Sequence, residues 1–106
     1  MTANVIAVRR ALPGDLQRIW DIRFRNDIDG ETDPPVQGPI PPFLPHLLAT
    51  GDVRVAERDG ELIGYASVAA RPGVVYLTDL FVDPDRQSAS AGRRLLESIL
   101  PPDEPR

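Results

Sequence analysis

The spacing of hydrophobic residues in the first half of the chain predicts two helices. Apolar residues recur every three to four positions from Asp15 to Asn26, which is typical of an amphipathic helix. Pro13 lies just before this segment and Asp15 in its first turn, as at many helix starts. A second, shorter helix is predicted from Pro42 to Thr50. The residues between the two helices, 28–42, are rich in Pro, Gly and acidic side chains and are predicted to form a loop.

Strands are predicted where β-branched and alternating apolar residues replace the helical spacing. The predicted strands are Val5 to Arg9, Asp52 to Glu57, Glu61 to Ala70 and Val74 to Val82. Asp59-Gly60 and Pro72-Gly73 supply turns between the last three strands, so these strands form an antiparallel meander. A last helix is predicted from Gly92 to Leu100. The fold class is therefore α/β: strand, helix, helix, three-stranded antiparallel meander and helix.

The segment between the last strand and the last helix has a composition that suits phosphate binding. Asp83-Pro84 ends the strand, and a polar loop of small residues leads into the helix near Gly92. Small side chains let an anion approach the backbone, and the positive end of a helix dipole lies behind the loop. The alternative is an ordinary strand-to-helix turn in which Asp, Pro and Ser serve only as turn and cap residues.

This loop resembles the acetyl-CoA pyrophosphate loop of the GNAT-type N-acetyltransferase superfamily. The family pattern is Gln/Arg-x-x-Gly-x-Gly/Ala, and the corresponding segment here is Gln87-Ser88-Ala89-Ser90-Ala91-Gly92, which begins five residues after Val82. Ser90 stands where the family has its central glycine. Two further stretches resemble the family in the same order, Val8-Arg9-Arg10-Ala11 with Gly14-Asp15, and the hairpin from Val55 to Ala66.

The resemblance implies an N-acetyltransferase that uses acetyl-CoA as cosubstrate and transfers its acetyl group to a primary amine directly, in a ternary complex. It places the pantetheine against the strand residues Leu80, Phe81 and Val82. It places the pyrophosphate against the loop and the start of the helix. The residues assigned to the pyrophosphate are Gln87, Ser88, Ala89, Ser90, Ala91, Gly92 and Arg93. The alternative function is a non-catalytic module that binds acyl-CoA or serves as an interaction surface.

Three residues of the last strand are candidates for the catalytic chemistry. Asp79 is the only acid in that strand, and its carboxylate is a candidate acceptor for the proton of the substrate amine. A partly exposed strand acid without a role is the competing interpretation. Tyr76 and Thr78 occupy strand positions where the family often places substrate-binding or base groups, and both are also good strand formers. For Glu31 and His46, a surface position is the preferred interpretation over a role in the site.

The composition of the chain limits the partners, cofactors and compartment that can be expected. The 106 residues carry a net charge of −4, which gives no electrostatic reason to expect nucleic acid or an anionic membrane as partner. The chain has no cysteine, so disulfides, zinc–thiolate sites and a thiolate nucleophile are excluded, and no metal is expected. No signal-peptide pattern is present, and the cytosol is the expected compartment.

Around the loop, Arg86, Arg93 and Arg94 are candidate phosphate-binding cations.

The family domain continues beyond the elements found here, with a further strand, helix and hairpin. We therefore expect residues 1–106 to form one partial GNAT domain, inactive by itself. The expected partners are a small-molecule or peptide amine and either a second copy of the chain or the missing C-terminal half.

Overall fold

The computed structural model describes residues 5–86 and 89–100, and it confirms the predicted α/β architecture. The first strand, β1 (Ile6–Arg10), is followed by a short 3-10 turn and two helices, α1 (Leu16–Asp27) and α2 (Phe43–Thr50). Three strands come next, β2 (Asp52–Arg58), β3 (Glu61–Arg71) and β4 (Val74–Val82). A second 3-10 turn, Pro84–Arg86, precedes helix α3 (Ala89–Ile99).

The four strands form one antiparallel sheet in the order β1-β2-β3-β4. At the β2–β3 turn, Asp59 and Gly60 both have positive φ values, 55° and 81°. A type I′ hairpin turn requires this at both central residues, and Asp-Gly is the sequence that tolerates it best. At the β3–β4 turn, Gly73 has a φ of 79° after Pro72, as in a type II turn. The turn sequences thus fix the meander.

Two β-bulges interrupt the ladders. On β3, Ile63 has no opposite residue on β2, because Ala56 pairs with Gly64 and Glu57 with Leu62. On β4, Thr78 has no opposite residue, because Ser67 pairs with Asp79 and Val68 with Leu77. A bulge changes which way the following side chains point. The β4 bulge therefore fixes the faces of Asp79 and the residues after it.

Each face of the sheet is covered by its own helices. Helix α3 packs on one face, where Leu95 and Ala91 are fully buried against Ile63 and Ala66. Helices α1 and α2 pack on the other face, against Val55 and Tyr65. Trp20 lies half-buried at the rim of this second core, and its indole Nε1 donates to the Gly38 carbonyl at 2.9 Å.

The start of α3 differs most from its prediction, while the other predicted element boundaries lie within one residue of those in the structure. Helix α3 begins at Ala89 and not near Gly92, so Ser90, Ala91 and Gly92 lie in its first turn. The small residues Ala and Ser are compatible with a helical backbone, and the loop after β4 is correspondingly shorter. Within the described residues, β1 and β4 are the edges of the sheet, and no helix combines the length and hydropathy that a membrane span requires.

Candidate functional site

Strand β4 is followed along the chain by the turn Pro84–Arg86 and helix α3. The Asp83 backbone N–H donates to the Ile63 carbonyl on β3 at 2.8 Å. Backbone groups of successive strand residues point to opposite sides, so Leu80 and Val82 direct their N–H and C=O groups away from β3. The Val82 carbonyl accepts from Asn26 Nδ2 on α1 at 3.0 Å, in agreement with that direction.

Phe81 has the opposite orientation. Its backbone faces β3, where it is paired with Tyr65, and its ring packs against the Tyr65 ring with 5.8 Å between centroids. Of the three strand residues assigned to the pantetheine, the hydrogen-bonding edge is thus built by Leu80 and Val82, with Phe81 as packing support.

The buried carboxylate of Asp83 holds the turn after β4. Its side chain is 1% exposed and accepts from Arg18 Nη2 at 2.7 Å, from Arg25 Nη1 at 3.3 Å and from the Asp85 backbone N–H at 2.9 Å. Burial by itself opposes the charge, but these hydrogen bonds outweigh it and hold the pKa of Asp83 below its ordinary value. Helix α1 is thereby tied to the strand-to-helix connection.

The first turn of α3 contains most of the described part of the predicted pyrophosphate loop. Ser90 is exposed and Ala91 is buried, and a Cβ added at Gly92 would meet no atom of the other described residues within 4 Å. The helix begins at Ala89, and the N–H groups of a first helical turn point out beyond the helix end. Gln87 and Ser88 lie outside the described residues, and the binding role predicted for them stays a prediction.

The three predicted cations differ in their surroundings. Arg86 forms an exposed ion pair with Glu61, with Nε 3.1 Å from Oε1. Arg93 and Arg94 are exposed on α3 and form no ion pair within the described part of the chain. These two are therefore the ones whose charge is available to an anion at the start of α3.

Asp79 lies at the centre of a polar cluster on the α1 and α2 side of the sheet. Its carboxylate is 11% exposed, and Oδ1 accepts from Arg23 Nη1 at 2.8 Å. The Tyr65 hydroxyl lies 3.4 Å from both Arg23 Nη1 and Asp79 Oδ2. Burial raises the pKa of Tyr65 well above its ordinary value, so this phenol remains protonated. Asp79 is thus held by a cation and a neutral donor.

The structure brings Thr78 close to this cluster and leaves Tyr76 outside it. Thr78 Oγ1 lies 2.6 Å from Ser67 Oγ and donates to the Ser67 carbonyl at 3.0 Å. Tyr76 is 48% exposed, and its side chain has no partner within the described residues. Glu31 and His46 are both exposed, in the 28–42 loop and on α2 respectively.

Sequence reasoning missed Arg23 and Tyr65 as members of the site. Arg23 falls at helical spacing with the apolar residues Ile19 and Trp20 of α1. A charged residue within an apolar stripe is a signal for a buried polar partner, and that partner is Asp79. Tyr65 gave no such signal, because a tyrosine in a strand is ordinary.

The acetyltransferase (GNAT) family model matches residues 16–101. The chain belongs to the GNAT acetyltransferase family. This confirms the resemblance seen in the sequence, and it accounts for the order of elements around the β4–α3 connection. A search of curated protein sequences finds no match.

Solved structures of this family share the fold. The chain is similar to N-acetylglutamate synthase from Neisseria gonorrhoeae, solved with coenzyme A and N-acetyl-glutamate, at 23% identity and a TM-score of 0.68, covering 90% of this chain and 22% of that one. It is similar to the ribosomal-protein-alanine N-acetyltransferase of Brucella melitensis at 23% identity and a TM-score of 0.70, covering 88% and 64%.

A third similar structure is a GNAT family acetyltransferase of Brucella melitensis in complex with acetyl-CoA. It has 21% identity and a TM-score of 0.65, covering 90% of this chain and 66% of that one. The chain therefore spans less than two thirds of the length of each of these three relatives.

Proposed function

We propose that this chain is the acetyl-CoA-binding part of an N-acetyltransferase that transfers an acetyl group to an amine directly, in a ternary complex. The observation that carries the proposal is the β4 edge. Leu80 and Val82 turn their backbone groups away from β3 directly before the connection to the α3 N-terminus, in a chain of the GNAT family. Relatives with this fold were solved with coenzyme A or acetyl-CoA bound.

The β4 edge would bind the pantetheine as a short additional strand. The Leu80 N–H would donate to an amide oxygen of the pantetheine or to the thioester carbonyl, with Val82 beside it on the same edge. A donor at that carbonyl stabilises the negative charge that develops on oxygen as the amine attacks. Phe81 would support this edge by packing on Tyr65 rather than by its own N–H.

The pyrophosphate would lie at the start of α3. The helix dipole favours an anion there, and the open space above Gly92 lets it approach the backbone. The proposed contacts are those predicted from the sequence, from Gln87 to Arg93. Arg93 adds a charge that no described residue neutralises.

Asp79 is the best placed of the three catalytic candidates. It directly precedes Leu80, and Arg23 holds Oδ1 at 2.8 Å. Within the part of the chain that the structure describes, its Oδ2 receives only long contacts, 3.4 Å from the Tyr65 hydroxyl and 3.5 Å from Ser67 Oγ. This second oxygen is the atom that we propose for accepting the amine proton, directly or through water.

Two measurements on the full chain test this function. Isothermal titration calorimetry with acetyl-CoA tests binding, and release of free coenzyme A thiol in the presence of a panel of amines tests transfer. Binding is the expected result for this chain, and amine-dependent thiol release is expected when the chain is joined to the C-terminal half that the family domain carries. Binding without transfer in that joined form would favour the non-catalytic acyl-CoA module instead, and absence of binding in both forms would contradict both functions.

A further inference from the structure

Arg23 is surrounded in a way that an ordinary ion pair does not require. It projects from α1 toward β4, and its guanidinium carbon lies 4.9 Å from the centroid of the Phe43 ring on α2 and 5.4 Å from that of Phe81 on β4. Contacts of this kind use the flat surface of a guanidinium and leave its N–H groups to hydrogen-bond in the plane.

Among the described residues, only one of its three nitrogens has a hydrogen-bond partner. Nη1 makes both described contacts, to Asp79 Oδ1 at 2.8 Å and to the Tyr65 hydroxyl at 3.4 Å. Nε and Nη2 donate to no group within the described residues. Neither atom is a buried polar atom without a hydrogen-bond partner. The side chain is 25% exposed. Arg23 therefore presents a second donor edge that solvent reaches.

The charge of this edge is maintained by its surroundings. Burial by itself would lower the pKa of Arg23, but the hydrogen bonds to Tyr65 and Asp79 outweigh it and raise the pKa. The same contacts fix the plane of the guanidinium. A fixed, planar pair of donors on a permanent cation matches the two oxygens of a carboxylate.

We propose that Arg23 binds a carboxylate of the acceptor substrate, so that the amine acetylated by this protein is an amino acid or another amine with a nearby carboxylate. The inference rests on the proposed function for the position of the acetyl group. Asp79, which holds Arg23, is adjacent to Leu80, with α carbons ~3.8 Å apart. The pyrophosphate site at α3 lies on the opposite face of the sheet, so the anion at Arg23 belongs to the acceptor and not to coenzyme A.

Matched substrate pairs provide the test. Glycine and alanine are compared with their C-terminal amides, and glutamate with its diamide, so that each analogue retains the amine and has no carboxylate. For the wild-type chain joined to the C-terminal half that the family domain carries, we expect kcat/KM to favour the acid by at least about 10-fold for the best pair. In Arg23→Lys, which keeps a cation beside Asp79 but loses the planar fork, the acid and its amide should become about equal, while KM for acetyl-CoA stays unchanged.

Arg10→Lys is the matched control, because Arg10 is exposed on β1 and makes no side-chain contact within the described residues. It should keep the wild-type ratio. Thermal unfolding of each variant verifies folding. Equal use of acids and amides by the wild type, or an unchanged ratio in Arg23→Lys, would overturn the assignment.

A binding experiment decides the matter if no amine is acetylated. N-acetylglycine, N-acetylalanine and N-acetylglutamate, with their amides, are titrated into the chain with and without coenzyme A. The proposal requires tighter binding of an acid than of its amide, and loss of that difference in Arg23→Lys. If coenzyme A does not bind, the proposed function fails, yet titration of the free chain still reports on Arg23; no preference for any acid would refute its role.

Discussion

Arg18 on α1 and Asp83 after β4 are joined by a 2.7 Å contact between Nη2 and Oδ2, across 65 positions of sequence. Asp83 is 1% exposed, whereas Arg18 is 26% exposed. Arg18 also donates through Nε to the Leu62 carbonyl at 3.0 Å. One arginine thus ties α1 to both β3 and the turn that leads to α3.

Asp83→Asn should destabilise the fold, because the amide cannot neutralise Arg18 and Arg25. Removing one partner of a fully buried ion pair costs ~3–5 kcal/mol, and we expect about 2 kcal/mol here because both arginines are partly exposed. Urea unfolding followed by circular dichroism measures the change. The exposed loop variant Asp29→Asn serves as control and should stay within about 0.5 kcal/mol of wild type; equal effects of the two changes would argue against the clamp.

Stability should fall in acid because two carboxyl groups have lowered pKa values. The hydrogen bond from Arg9 lowers the pKa of Asp15, and the contacts described above lower that of Asp83. The folded state then binds fewer protons than the unfolded state. Its advantage is complete above the unfolded pKa of about 4 and is lost as pH falls through the lower folded values.

The free energy of unfolding should therefore change little between about pH 7 and 5 and decline below about pH 4. The double variant Asp15→Asn, Asp83→Asn should show a shallower decline, since it lacks both titrating groups. Urea titrations at a series of pH values give the slopes. Parallel profiles for the variant and the wild type would show that these two residues do not set the acid limit.

Gly64→Ala should disturb the contact between the sheet and α3. An added Cβ would lie 3.0 Å from the Phe81 carbonyl oxygen and 3.3 Å from both Leu95 Cδ1 and Val82 Cγ2. Overpacking of this kind costs about 1–3 kcal/mol, measurable as a lower Tm. Gly14→Ala is the control, because its Cβ would meet nothing within 4 Å. A Tm for Gly64→Ala as high as that of the control would mean that α3 moves away without cost.

Local sequence signals were sufficient to predict the sheet. They could not predict contacts between residues that lie far apart in the sequence. Asp59-Gly60 and Pro72-Gly73 dictated the meander, because few other sequences adopt the positive φ values of those turns. The partner of Asp79 was not predictable in this way. Arg23 lies 56 positions away.

The face on which Asp79 lies was hidden for a second reason. The bulge at Thr78 shifts the alternation of side chains between the two faces of β4 by one residue. The residue types of that strand do not predict this bulge. Leu80 and Val82 could be assigned to the candidate site from the sequence. Both residues follow the bulge, and their distance along the chain from the strand end at Asp83 can be counted directly.

Substitution of Gly92 should change the stability of the fold and the affinity for acetyl-CoA in opposite directions. It lies in the first turn of α3, where an alanine Cβ would meet no protein atom within 4 Å. Alanine in a helix is more favourable than glycine by ~0.5–1 kcal/mol, so Gly92→Ala should raise Tm slightly. If the pyrophosphate approaches the backbone there, the same Cβ occupies its space. Acetyl-CoA affinity should then fall about 10-fold, or ~1.4 kcal/mol, and further in Gly92→Val.

The opposite signs of these two effects make the Gly92 prediction specific. A variant that merely damaged the fold would lose Tm and affinity together. Gly14→Ala, distant in sequence and equally free of contacts, should leave acetyl-CoA affinity unchanged. Calorimetric titration and thermal unfolding on the same samples give both quantities. Undiminished affinity in a stably folded Gly92→Val chain would place the pyrophosphate elsewhere, because a branched side chain leaves no room for an anion against that backbone.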